Sequence, residues 1–223
     1  MRILAVSDEE DRNLSGGTGR DSLKSFDLIL SCGDLKADYL EYLVTMACCP
    51  LLYVHGNHDS AFETKPPEGC VCIEDKVYDY RGLRILGLGG SMRYKPDAPC
   101  MYTEEEMRSR ILKCRPEITL KNGFDILLTH SPAKGYGDMG ILSHSGFECF
   151  NGLLDRYRPA CMIHGHVHQS YTHRFERTRI HPSGTKIINA CGKYLLEIGD
   201  DEYPAKGKTG SFLYDLYVSV KGE

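Results

Sequence analysis

The chain has no long apolar run. Nothing in its 223 residues approaches the roughly 20 consecutive apolar positions of a membrane span, and no membrane partner is expected. The run at its start, Ile3-Leu4-Ala5-Val6, is too short for a secretory leader and is followed at once by acids, which predicts a cytoplasmic protein. Basic charge is not in excess. Lys and Arg number 27 against 31 Asp and Glu, a formal net charge of −4, which argues against a general nucleic-acid or acidic-membrane surface. The paired CxxC spacing of a structural zinc site is also missing. The ten cysteines include Cys48-Cys49 and Cys70-Val71-Cys72, and the set is read as reduced thiols, with Cys32, Cys161 and Cys191 on buried strands. Internal repeats, low-complexity stretches and a domain boundary are lacking. The expectation is a single domain over 1–223, with 199–223 as a C-terminal extension crossing the surface and a last strand near "FLYDLYVSV".

What the chain does have is a recurring form. "RILAVSD" (2–8), "DLILSCGD" (27–34), "LLYVHGNHD" (51–59), "DILLTHSP" (125–132) and "CMIHGHVH" (161–168) each run four or five apolar residues into Asp, His or Gly. Runs apolar on both faces suit strands in the middle of a layered sheet. Helical spacing fills the intervals at 37–47, at 103–114 behind a capping box Thr103…Glu106, and at 145–157 behind a second box Ser145…Glu148. Two segments, 70–90 and 170–198, read as antiparallel ribbons. The alternation predicts an α/β protein, a layered β-sandwich flanked by helices.

Loops at the carboxyl ends of neighbouring strands converge on one crevice. Here those exits supply Asp8, Glu10, Asp34, Asn57, His58, His130, His166 and His168. Singly, each has an ordinary role as cap, core histidine or solvated charge. As a set of oxygen and nitrogen donors they are a candidate metal site. Asp8 and Glu10, two apart on extended chain, are expected to point the same way, as are His166 and His168. Four acids in a row, "DEED", are otherwise a solvated loop.

In this order, Asp8, "GD", "GNHD", "TH" and "GHVH" resemble the calcineurin-like metallophosphoesterases, over residues 1 to about 198. The segment from "THSPAKGYGD" to "GTKIINA" further resembles the small branch with cyclic-nucleotide phosphodiesterase-like proteins. The resemblance implies two divalent metals. One would be held by Asp8, residue 10, Asp34 and His168, and the other by Asp34 as a bridge with Asn57, His130 and His166. It implies a metal-activated hydroxide attacking a phosphate ester, with His58 protonating the leaving group or bonding the phosphate. Asp59 would brace the "GNHD" turn.

The chain departs from that pattern at Glu10, where an imidazole is expected. A carboxylate there shifts preference toward harder ions, Mn²⁺ or Fe²⁺ first, with Mg²⁺ and Zn²⁺ as alternatives. A second departure is Ala37, where many relatives carry an Asp that orients the catalytic His, with Asp38 one residue on. Asn57, Arg93, Tyr136 and His144 are candidate substrate contacts, Tyr136 as a face for a base. The expected partner is a small phosphate ester or nucleotide, and the expected activity is phosphodiester hydrolysis. The rivals are a phosphomonoesterase or protein phosphatase on the same site, and a nucleotide sensor with weak or no turnover.

Overall fold

The computed structural model describes residues 1–15, 21–171 and 175–221. The five predicted strand–exit units form β1 (Arg2–Ser7), β2 (Leu28–Ser31), β3 (Leu51–Tyr53), β9 (Ile126–Thr129) and β10 (Cys161–His164). Between β3 and β9 lie β4 (Val71–Cys72), β5 (Lys76–Tyr80), β6 (Leu83–Leu88), β7 (Ser91–Met92) and β8 (Met101–Tyr102). β11 (Thr178–Ile180), β12 (Lys186–Asn189) and β13 (Gly192–Glu197) follow β10. One sheet runs β13-β1-β2-β3-β4, a second β11-β12-β10-β9-β6-β5, and β7 pairs with β8 alone. Helices α1 (Ala37–Ala47), α2 (Glu104–Leu120), α3 (Glu148–Tyr157) and α4 (Phe212–Lys221) complete the regular structure used below.

Strand alternation builds the layers. Ile3 and Ala5 of β1 join Leu28, Leu30, Ile85, Ile126, Leu128 and Ile163 in a core drawn from both sheets. Leu4 and Val6, on the opposite face, pack with Tyr39, Leu40 and Leu43 of α1. On the far side of the second sheet, Leu86, Leu127 and Met162 bury against Met107, Ile111 and Phe150 of α2 and α3. Helix, sheet, sheet and helix are therefore stacked in that order, and strands apolar on both faces are the consequence. β1, β2 and β3 are parallel, as are β9, β10 and β12, so their carboxyl ends open together within each sheet.

Four local expectations are corrected. The tail segment 212–220 is the helix α4, because Phe212, Leu213, Leu216, Tyr217 and Val220 recur at helical spacing. Ahead of it, Asp215 accepts the amides of Thr209 and Gly210. The helix expected from 145 begins only at Glu148, and Ser145 makes no capping box. Its first amides, on Glu148 and Cys149, are instead taken by the carboxylate of Glu104 at 3.1 and 2.7 Å, a partner 44 and 45 residues away. The ribbon 70–90 divides, β4 lying parallel on β3 while β5 and β6 form the hairpin. The ribbon 170–198 also divides: β11 and β12 pair antiparallel in the second sheet, and β13 crosses to β1 in the first. Residues 172–174 of that ribbon lie outside the described residues. The box Thr103…Glu106 forms as expected, with both reciprocal bonds, and α2 continues past 114 to Leu120.

Candidate metal centre

Three turns give the centre its shape. Asp8, Asp34 and His166 all have left-handed backbone, with φ of 63°, 58° and 68°. Non-glycine residues adopt this conformation at a cost of roughly 1–3 kcal/mol each, and hold it only where the surroundings require it. Each stands just beyond a strand end, where the reversal swings a donor back over the sheet edge. Two glycines make room. A Cβ at Gly56 would lie 2.0 Å from Asp34 Oδ1, and one at Gly165 would lie 1.9 Å from Ser7 Oγ and 2.4 Å from Asp8 Oδ2. Asp59 braces the "GNHD" turn by accepting the amides of Asp34 (2.7 Å) and Gly56 (2.8 Å).

Asp8, Asp34 and His130 bring ligand atoms within 4.8 Å of one another. The Asp8 side chain is only 1% exposed. It accepts the His166 amide with both oxygens, at 3.1 and 2.9 Å. His130 is fully buried. Its Nδ1 meets the Cys32 carbonyl at 2.8 Å, and its Nε2 faces Asn57 Oδ1 at 3.0 Å, Asp34 Oδ2 at 3.4 Å and His166 Nδ1 at 3.1 Å. The second nitrogen of His166 lies 2.7 Å from the Ser143 carbonyl. His58 donates its amide to Asp34 Oδ1 at 2.8 Å while its residue stays on the exposed rim.

Burial and charge oppose one another here. Burial works to raise Asp34, but His130 and the hydrogen bonds from His130 and His58 overcome it and bring the carboxyl down to about 2. Burial alone would lower His130, yet Asp34 and Asp8 lift it to about 9. Burial raises Asp8 and lowers His166. The leading charges on Asp8 are those of His130, Asp34 and His168, and those on Asp34 are of His130 and His58.

The remaining predicted residues have other surroundings. Glu10 pairs with Lys36 at 3.0 Å, with side chains 39% and 80% exposed, and is not among the donors brought together. Glu9, with its side chain 54% exposed, reaches the rim of the centre: its Oε1 lies 3.0 Å from His168 Nδ1, whose Nε2 is 3.8 Å from Asp8 Oδ1. Alternation along an extended strand does not apply at this point, because β1 ends at Ser7 and the backbone reverses at Asp8. A reversal of its own at His166 separates the two histidines of "GHVH", His166 turning to His130 and His168 to Glu9. Arg93 places its guanidinium on the Met101 carbonyl and the Glu106 carboxylate. Tyr136 sets its ring 4.8 Å from His181. His144 does reach the centre, its ring 5.1 Å from His166 and 4.9 Å from Tyr171. Tyr171, which sequence reasoning passed over, also lies 4.7 Å from His168 and keeps 46% of its surface exposed. Cys191, read as a thiol on a buried strand, lies between β12 and β13, and with Glu9 and His168 it forms a second group of ligand atoms within 4.8 Å. The only available signal was its place just past a strand exit, in "INAC".

Against known proteins, the model of the calcineurin-like phosphoesterases matches residues 13–170. The chain belongs to that family. The matched stretch starts beyond Asp8–Asp11, the run in which this chain departs from the family pattern. An uncharacterised protein of Haemophilus influenzae is 28% identical over 204 residues, covering 78% of this chain and 87% of that one. A probable cyclic nucleotide phosphodiesterase of Pseudoalteromonas sp. is 23% identical, covering 63% of this chain and 52% of its own length. Among solved structures, TT1561 of Thermus thermophilus is similar in fold, with a TM-score of 0.56 at 15% identity over 85% of this chain and 88% of the other. Among the described residues, no helix of the metallophosphoesterase fold seen here is long and apolar enough to cross a membrane.

Proposed function

We propose that this family member is a metal-dependent phosphodiesterase acting on a small, nucleotide-like substrate. One observation carries the reading: buried carboxylate, amide and imidazole donors from Asp8, Asp34, Asn57, His130 and His166 meet at the strand ends, and among the described residues the ion pairs of Asp8 and Asp34 are with histidines, not with lysine or arginine. Hard and borderline donors concentrated in this way fit divalent metal ions. Asp8 and His168 would serve one ion, Asn57, His130 and His166 a second, and Asp34 both. When bound, such ions polarise phosphoryl oxygens and make water nucleophilic at neutral pH.

The chain's own residues supply the rest. Asp59 and the reversed backbone at Asp34 fix the "GNHD" turn, so Asn57 points inward while His58 stands at the rim within reach of a leaving group. His58 gives its proton to the departing alkoxide oxygen, or a hydrogen bond to the phosphate. The exposed ring of Tyr171, flanked by His144 and His168, offers a stacking face to a nucleobase, which favours a nucleotide over a simple alkyl ester.

The test is hydrolysis of bis(p-nitrophenyl) phosphate beside p-nitrophenyl phosphate and a set of cyclic nucleotides, with Mn²⁺, Fe²⁺, Zn²⁺ or Mg²⁺ supplied after chelation. Diester turnover that chelator abolishes supports the reading. Nucleotide binding with no turnover under any of the four metals would make the protein a sensor instead.

A further inference from the structure

Glu10 turns to Lys36, and other donors gather beside Asp8. Glu9, His168 and Cys191 hold a carboxylate oxygen, an imidazole nitrogen and a sulfur within 4.8 Å of one another. They lie beside Asp8, whose Oδ1 is 3.8 Å from His168 Nε2. We infer that Cys191 is a sulfur ligand to an ion held with Glu9 and His168, a mixed O/N/S site beside Asp8 that selects Zn²⁺ or Fe²⁺ over Mg²⁺ and Mn²⁺. The inference rests on the metal-centre reading above and adds its donor set and selectivity.

The sulfur is placed by construction. Cys191 follows β12 and is held against the end of β1 by a bridge between Ser7 and Cys191. Asn189 locks the arrangement from both directions: its Oδ1 accepts the Cys191 amide at 2.8 Å, and its Nδ2 donates to the Val167 carbonyl at 2.8 Å, between the two histidines of "GHVH". Arg177 spans the same turn, donating to the carbonyls of Asn189, Cys191 and Lys193. Packing alone does not require a polar clamp that ties this buried cysteine to the metal-site loop. Binding releases the thiol proton to solvent, and the resulting thiolate is a soft donor that hard ions accept poorly. The selectivity therefore places Zn²⁺ above Mn²⁺, opposite to the order expected from a carboxylate at residue 10.

Cobalt reports sulfur directly. Protein stripped with chelator and titrated with Co²⁺ should develop a near-ultraviolet thiolate-to-cobalt charge-transfer band. Cys191→Ser should abolish that band while Cys161→Ser keeps it. Zn²⁺ affinity of Cys191→Ser should fall by about 10–100-fold, the range in which metal-site partners act, with Mn²⁺ affinity changed much less. Should the serine variant fail to fold, X-ray absorption of the zinc-loaded wild type decides, since a sulfur shell at about 2.3 Å is expected. Cobalt bound with no charge-transfer band, a band that survives in Cys191→Ser, or a zinc shell of nitrogen and oxygen only would each overturn the sulfur ligand while leaving the metal centre standing. No metal bound at all would overturn both.

Discussion

Two regions of the molecule gather the same residue types and treat them differently. At the strand ends, Asp8, Asp34 and His130 crowd together, and among the described residues the two aspartates pair with histidines and not with Lys or Arg. Next to the "GNHD" turn, His55, Cys72 and Glu74 also bring ligand atoms within 4.8 Å. There, however, Arg110 Nη2 lies 2.5 Å from Glu74 Oε1, and Glu74 Oε2 holds both the Nδ1 and the amide of His55. Arg110 also donates to Asp75 and to the Gly89 carbonyl. The second cluster carries its own positive charge, so it is a brace between α2 and the loop of Asn57. Donors within reach of one another are common to both. What distinguishes a place for a dication is that the aspartates are paired with imidazoles, which can give up a proton to a metal, and not with a guanidinium, which cannot.

The comparison is most exposed to breaking at Asp34. Asp34→Asn should lose bound metal and cut phosphodiester turnover by about 10³-fold or more, since several kcal/mol of charge stabilisation go with the ions. Metal analysis and initial rates check it, and full metal content in the variant would remove Asp34 from the centre.

In the compensated cluster the loss should be one of stability. Arg110→Ala leaves Glu74 buried without its partner and should cost about 3–5 kcal/mol, read as a lower urea midpoint, with wild-type metal stoichiometry in the folded fraction. The same cluster has a definite pH dependence. Burial works to raise Glu74, but His55 and Arg110 hold it below the ordinary carboxylate value. Its contribution is present above the unfolded pKa and disappears as pH falls through the lower folded one. Burial works to lower His55, but Glu74 raises it above the ordinary imidazole value, so that contribution is present below the unfolded pKa and disappears as pH rises through the folded one. Glu74→Gln should flatten both limbs of the stability–pH curve. Unchanged limbs would mean that this cluster is not what acid and base unfold.

His58 sharpens the contrast from the rim of the centre. His58→Ala should slow alkyl diesters by about 10²–10⁴-fold with metal content intact, and nitrophenyl esters by less, because that leaving group needs little protonation. Equal losses for both would assign His58 to phosphate binding. The smallest effect belongs to Glu10. Its contact with Lys36 is exposed, so Glu10→Gln should change stability by no more than about 1 kcal/mol and leave metal affinity where it was. A large drop in metal affinity would bring Glu10 back into the centre and displace Glu9.

How much of this was legible follows from how local each cause is. The strand–exit donors could be read because apolar runs and the polar residues that end them are neighbours in the chain. The layered α/β architecture follows from the same runs, apolar on both faces because helices cover both sheets. The start of α2 was legible for the same reason, since its capping box lies within four residues. The start of α3 was not, because Glu104 caps it across the fold.

The sequence by itself determined that Asp, Asn and His donors stand at strand exits, and that these strands are buried on both faces. Tertiary structure decided which of them face inward. The reversal at Asp8, made possible by Gly165 beside it, turned Glu9 toward His168 and left Glu10 to Lys36. Packing also decided that Glu74 has a permanent cation 36 residues away in Arg110, while the described partners of Asp8 and Asp34 are histidines. Side-chain direction and charge balance depend on backbone turns and on partners brought from distant segments, which spacing along a chain does not encode.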